Sequence, residues 1–347
     1  MKLALSIRYG AISLFLLLSH PQFVTSQVVG PTQEVPIQIR LKPEKDTIMV
    51  GEPLFIAFEV TNLSGEKLCL GVGGDYRNKF GRPDSFKVTV RNANGAELPQ
   101  IEVSGTGGFI GCGSMESGET YTVPLFLSHW ANIERTGTYQ INVKRVLGFS
   151  NFEASGSGRR NYSMQADVNA EFVVVPYDEN KMGGIISSLG SIMLDLSDPR
   201  AAESAQALAS IRDKRLITYF AETLRTLADS ERDWDFNELG IKSRAIAVLA
   251  TYDDDRAIQA LQEAMDSPSD DTRLNVADAL GDSPHKSAMK LLLKMQDDRD
   301  AGVRRNVAYG LVKNNSRESL AALQKLLKDQ NEDVRNAAQQ SMNKISH

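Results

Sequence analysis

Two cysteines and four histidines in 347 residues leave little material for a structural zinc site or a haem pocket, both of which consume such ligands. Positive charge is also lacking. Lys+Arg number 39 against 44 Asp+Glu, a formal net charge of −5, so no overall basic excess exists to neutralise phosphates. Apolar runs are short: Ala11–Leu18 (AISLFLLL) falls well below the roughly 20 residues that span a bilayer. The chain contains neither G-x-S-x-G nor C-x-x-C, which removes a nucleophile elbow and a redox dithiol. What remains is ordinary globular composition, 41% hydrophobic and 24% charged, with length for roughly two domains. A binding function is expected, without catalysis, cofactor or metal.

Lys2 and Arg8 flank the N-terminal side of that apolar run, and Val24-Thr25-Ser26 follow it. A basic start, a short apolar core and small residues at a cleavage point are the pattern of a secretory signal over residues 1–26. An uncleaved anchor is the competing reading, and the shortness of the run disfavours it. The expected mature chain begins at Gln27, is secreted or lies in the periplasm or cell envelope, and has no stable membrane insertion. In such an oxidising compartment Cys69 and Cys112 read as one structural disulfide, stabilising by about 4 kcal/mol in the chain-entropy description.

From Val35 to Val175 apolar and polar residues alternate, as in VPIQIRL (35–41), PLFIAFEV (53–60), FKVTV (86–90), YTVPLFL (121–127), TYQINVKR (138–145) and AEFVVV (170–175). Turn chemistry separates them, including Asn62-Leu-Ser-Gly65 and Asn92-Ala-Asn-Gly95. Seven or eight short strands with such turns predict an antiparallel β-sandwich over 27–178. Gly137-Thr-Tyr139-Gln-Ile141 resembles the corner motif of immunoglobulin-like strand F, with Ile141 in the place of the cysteine. The half as a whole resembles the bacterial Ig-like modules of exported proteins. Residues 147–165, rich in Gly and Ser, predict a long mobile hairpin loop, and 179–194, containing Met182-Gly-Gly184, predict a hinge.

Beyond Ser191 the period changes from 2 to 3.6 and an internal repeat emerges. Ile241–Leu249, Thr272–Leu280, Val303–Leu311 and Val334–Met342 align, so Leu249, Leu280, Leu311 and Met342 recur at 31 residues. Leu208, Ile217 and Phe220 mark an earlier copy. Each unit reads as a small-residue-rich helix, a turn and a Leu-rich second helix, and such pairs must stack to bury both faces. The sequence therefore predicts an α-solenoid over 195–347, following the sandwich in a multidomain β + α chain. Asp271, Asp300 and Asp333 are placed to cap first helices, and Arg244, Arg273, Arg304 and Arg335 to pair with the acids before them. The Asp300-Ala-Gly-Val-Arg304 and Asp333-Val-Arg335-Asn-Ala-Ala338 stretches resemble HEAT repeats, closest in unit length to the short phycobilisome-lyase type. That resemblance implies a helical array and leaves activity open.

Candidate chemistry fares poorly. Gly105-Thr-Gly107-Gly108 lacks the helix that a dinucleotide loop requires. Ser64/Lys67, Ser283/Lys286 and Ser341/Lys344 have hydrolase-like spacing in three unrelated places. Asp233-Trp234-Asp235-Phe236-Asn237 opens like a calcium loop but has Arg244 where a bidentate Glu belongs; an acidic solvated loop is the better reading. That insertion interrupts the array, and its Trp234 and Phe236 either anchor a partner or cap the first repeat. Residues 190–347 hold 22 Lys/Arg and 26 Asp/Glu, with no basic stripe in sequence, so nucleic acid is not an expected partner.

The expected function is protein–protein interaction or scaffolding, with a protein partner that no motif identifies. Its binding face is expected on the second helices at Thr218, Glu222, Gln259, Gln262, Lys290, Lys294, Gln324 and Lys328, polar positions interleaved with the Leu ladder. A second reading gives the β half a carbohydrate-binding or protease-inhibiting role with the helices as spacer. Asn62-Leu-Ser64 and Asn161-Tyr-Ser163 are the available N-glycosylation sequons. N-terminal sequencing of the mature protein is expected to begin at Gln27; a start at Met1 would remove the export reading.

Overall fold

The computed structural model describes residues 36–71, 85–101, 112–151, 161–227, 236–313 and 316–345. The alternating N-terminal segments form nine described strands: β1 (Ile37–Pro43), β2 (Thr47–Met49), β3 (Phe55–Asn62), β4 (Leu68–Gly71), β5 (Lys87–Asn92), β6 (Cys112–Met115), β7 (Thr120–Phe126), β8 (Gly137–Asn151) and β9 (Asn161–Val175). β1, β3 and β7 make one antiparallel sheet with β3 in the middle. The larger sheet runs β2-β9-β8-β4-β6, and β5 shares with β4 the edge of β8 opposite β9. Only β2 against β9 is parallel.

The two sheets enclose a common apolar core. Phe58 of β3 meets Phe86 edge-on at 5.4 Å, and Tyr139 stacks on Phe172 at 5.6 Å. Tyr139 lies opposite Phe172 and Ile141 opposite Ala170, so the inward residues of β8 and β9 share a face, and a one-residue slip would expose them all. At the Gly137-Thr-Tyr139 corner the Tyr139 hydroxyl donates to the Arg135 carbonyl at 2.8 Å. Arg145 alone breaks the inward run of β8. Its guanidinium lies 4.4 Å from the Phe86 ring centre, and burial lowers its pKa to about 10.

Three sequence expectations change here. The long loop expected over 147–165 is largely strand: β8 continues to Asn151 and β9 starts at Asn161. Leu147 and Phe149 are buried, and Gly and Ser between them obscured an alternation that persists. Asn62, half of a sequon, is fully buried and its amide donates to the carbonyls of Glu66, Met115 and Glu116, so a glycan there would destroy the turn. The Gly105 loop lies outside the described residues.

The expected hinge is a helix, α1 (Glu179–Leu194). Asp178 caps it, accepting from the Lys181 N–H at 3.0 Å, and Met182, Ile186, Gly190 and Met193 form its buried stripe. This apolar stripe outweighs the glycines' low propensity. Gly190 has a packing role, since a Cβ there would lie 2.4 Å from the Tyr219 ring. α1 is wedged between the sheets and the first repeat: Leu189 joins a cluster with Phe55, Phe126 and Ala207, and the Phe55 and Phe126 rings are 4.8 Å apart. Met49 of β2 belongs to the helical core, and Gln206 bonds His129 at 2.6 Å across the junction.

The helical region follows as α2 (Ala201–Ser210), α3 (Leu216–Thr226), α4 (Phe236–Ala250), α5 (Asp255–Ala264), α6 (Asp270–Asp282), α7 (Ala288–Lys294), α8 (Ala301–Gly310), α9 (Arg317–Leu326) and α10 (Glu332–Ile345). It is a helical-repeat solenoid: first helices α2, α4, α6, α8 and α10 stack in sequence, and the second helices flank them. Small residues set the spacing. A Cβ on Gly281 would lie 2.7 Å from the Gly310 Cα, so these two helices touch backbone to backbone. Capping matches the sequence expectation at Asp300, which accepts from the Val303 N–H at 3.0 Å. For α6 the cap is Ser269, and Asn331 accepts the Asp333 and Val334 N–H groups, so Asp271 and Asp333 lie inside first turns.

Gly281→Ala is expected to lose about 1–3 kcal/mol by overpacking although Ala is the better helix former. Gly240→Ala, with open space around its Cβ, is expected to gain up to about 1 kcal/mol. Urea denaturation of both variants separates close approach from helix propensity.

Candidate functional site

Any binding face on a solenoid depends on how rigidly one repeat holds the next, because each repeat contacts only its neighbours. Here a ribbon of arginines and aspartates runs through successive turns. Arg273 of α6 donates backward to the carbonyls of Ser267 (2.8 Å) and Pro268 (3.1 Å). It donates forward, two-pronged, to the Asp298 carboxylate at 2.8 and 3.2 Å. Arg304 of α8 repeats this: backward to the carbonyls of Asp298 (2.7 Å) and Arg299 (3.1 Å), forward to Asp329 at 2.7 and 2.9 Å. Arg335 of α10 closes the series on the carbonyls of Asp329 and Gln330. Each aspartate thus takes one arginine on its carboxylate and the next on its backbone.

These contacts correct the expected pairing with preceding acids. Arg273 does bond Asp270, but the two-pronged partner of each buried arginine is the aspartate 25 residues later, in the following turn. Arg244 does not belong to the set. The residue 31 before Arg273 is Lys242, buried like the arginines, and Ser267 stands where Asp298 and Asp329 stand later. The recurrence of Asp298 and Asp329 at 31 residues was the signal available in sequence.

Arg304 and Asp329 side chains are only 9% and 10% exposed. The hydrogen bonds from Arg304 hold the Asp329 carboxyl below the ordinary carboxylate range despite partial burial. For Asp298 burial pushes upward, but the Arg273 bonds and the Asp300 N–H outweigh it and the carboxyl again ends low. Other contacts cross between repeats alongside: Asn275 donates to the Ser243 hydroxyl at 2.9 Å, and His285 meets Asp255 at 3.1 Å. Because the Ser287 N–H donates to His285 Nδ1, Nε2 carries the proton toward Asp255, and this histidine is a packing element.

On the scaffold so held, the second helices present most of the expected binding residues. Thr218, Gln259, Gln262, Lys290, Lys294, Gln324 and Lys328 are exposed, whereas Glu222 is half-buried. In repeat register they do not form one line. Thr218, Gln259 and Lys290 are equivalent, as are Glu222 and Lys294, and Gln262 and Gln324 make a third set, with Lys328 further along. Neighbouring second helices are tied across this face by Arg225–Glu263 at 3.1 Å and Lys325–Asp297 at 2.6 Å. Trp234 lies outside the described residues, as do the side chains of Phe236 and Asn237, although Phe236 opens α4. The expected absence of a basic stripe does not hold on this face: Lys286, Lys290 and Lys294 cluster around α7 while acids occupy α5. Net charge averages over faces and hides that separation.

In the sheets, Cys69 on β4 lies opposite Ser114, and Gly71 opposite Cys112 on β6. Cys69 is disulfide-bonded and no described cysteine is free. Among the described residues, no group of three or more His, Cys, Asp or Glu could hold a metal ion, and no helix is long and apolar enough to cross a membrane.

Residues 263–343 match the family model for HEAT repeats. No curated protein matches the chain. Among solved structures, a chain of the CpcE–CpcF complex of phycocyanin lyase from Nostoc is 20% identical, covering 46% of this chain and 99% of its own, with a TM-score of 0.36. Human deoxyhypusine hydroxylase is 18% identical over 47% of this chain and 74% of its own, at 0.31. A designed armadillo repeat protein in complex with the peptide (KR)4 is also 18% identical, over 48% and 83%, at 0.32.

Arg304→Ala is expected to cost about 3–5 kcal/mol, because it strands a buried carboxylate, and Arg304→Lys to recover only part, lacking the planar fork. Since the folded-state pKa of Asp329 is depressed, its contribution is complete above the unfolded value of about 3.9 and disappears as pH falls through the lower folded value. Asp329→Asn is expected to flatten that acid limb in a pH series of thermal melts.

Proposed function

We propose that this protein is an exported, non-catalytic scaffold that binds a protein partner along the second helices of its HEAT-like solenoid. The observation that carries the reading is the division of labour between helices. First helices and turns use their buried residues and the arginine–aspartate ribbon to fix the array, while second helices hold out polar side chains that have no structural partner in most repeats. Repeat proteins characteristically bind through extended surfaces of this kind. The signal-like residues 1–26 and the disulfide chemistry of Cys69 support an extracytoplasmic location, and Cys112 is the disulfide partner in this reading. The buried Tyr139 corner supports an immunoglobulin-like relationship for the sheets.

Affinity capture from the native exported fraction, with the full mature chain as bait, tests the reading. A discrete protein is expected, lost when Thr218, Gln259 and Gln324 are replaced together by Ala and retained when exposed Lys87 on β5 is replaced. Capture that survives the first set and fails with Lys87→Ala would move the binding site to the sheets. Peptide mapping without reductant is expected to recover Cys69 joined to Cys112.

A further inference from the structure

Charge on the second-helix row is sorted by repeat. Lys290 and Lys294 sit one turn apart on α7, with Lys286 in the turn just before it, and all three are exposed. α9 continues the pattern with Arg317 at its start, Lys325 near its end and Lys328 in the turn beyond. The Lys325–Asp297 pair at 2.6 Å shows that these two stripes are adjacent, and it occupies the one carboxylate that follows Lys294 on the same stripe. Lys286, Lys290, Lys294, Arg317 and Lys328 make no ion pair. One repeat earlier the sign reverses: Asp255, Glu263 and Asp266 hold the corresponding stripe on α5.

Like charges one helical turn apart weakly oppose helix formation, and nothing within the chain offsets these. We infer that α7 and α9 form a docking stripe for a short, extended, acidic peptide segment of a partner protein, its carboxylates meeting the five unpaired cations. The inference rests on the second-helix row being the binding face, and it names the partner's chemistry. Packed helices lie about 8–10 Å apart and an extended chain advances about 3.3 Å per residue, so acids about three residues apart reach both helices. The acidic stripe on α5 repels any anionic chain continuing that way, which favours a short peptide over a polyphosphate backbone that carries charge at every step.

Fluorescence anisotropy with the full mature chain tests this, using a labelled Glu-rich peptide, its Gln-for-Glu and Lys-for-Glu counterparts, and a single-stranded oligonucleotide. The Glu peptide is expected to bind best and to weaken as salt screens the contact. Lys290→Glu with Lys294→Glu is expected to weaken it by about tenfold or more through like-charge juxtaposition, with an unchanged melting curve, while Lys87→Glu has no effect. Equal binding of the Gln peptide, tighter binding of the Lys peptide or oligonucleotide, or no binding by any probe would each overturn the inference. A Gln peptide displaced by substitutions at Thr218 and Gln259 would preserve the second-helix row as binding face and remove only the acidic partner. Likewise, a partner captured through this row without any response to the Glu peptide would remove the charge argument alone.

Discussion

The two-pronged bond from a buried arginine to the aspartate of the next turn is the interaction on which the helical half depends. A helix pair buries one side and needs a neighbour for the other, yet apolar stacking is tolerant of small slides. The guanidinium fork is not, because two parallel N–H bonds to one carboxylate fix both distance and angle. Arg273 and Arg304 also satisfy turn carbonyls, so each joins the turn before its helix to the turn after. Asp298 and Asp329 serve two arginines each, and a rotation of one repeat would be felt by the next. The Gly281–Gly310 approach depends on that registration, since backbone contact at this range leaves no room for adjustment.

The ribbon also explains where the array differs along its length. Lys242 and Ser267 stand in place of the arginine and aspartate, so the fork geometry begins only at α6. Toward the sheets a different solution takes over. α1 packs its methionine and isoleucine stripe onto the first repeat, and Phe55, Phe126 and Leu189 close the seam. Glycines at 183 and 184 look like flexibility in isolation. In the folded chain the segment is a capped helix with a buried face, because burying four stripe residues outweighs the propensity lost.

Scaffold and surface are separable in this architecture. Inward positions of the first helices and the turns hold the stack, and substitutions on the outward stripes of second helices touch neither. That freedom lets charge accumulate by repeat, acidic on α5 and basic on α7 and α9, without cost to the core. The sheets follow the same logic: Tyr139, Ile141 and Phe172 face inward in fixed register, while Gln140, Glu171, Asn142 and Asp167 bond one another on the outside.

Periodicity in the sequence determined most of the architecture. Alternation from Val35 to Val175 located the long strands, the tyrosine corner announced itself at Gly137-Thr-Tyr139, and the 31-residue recurrence of Leu249, Leu280, Leu311 and Met342 defined the helical units. Strands of three or four residues, such as β2, β4 and β6, carry too few alternations to stand out. The extensions of β8 and β9 were hidden because Gly and Ser signal turns locally, and only pairing with β4 keeps them extended. Tertiary structure alone decided which partner each arginine takes, since a contact across 25 residues is set by stacking and leaves only Asp298 and Asp329 as a trace in the chain. It alone also decided that lysines from two repeats form one stripe, because net charge is a sum over the whole surface while recognition depends on the side chains that share a face.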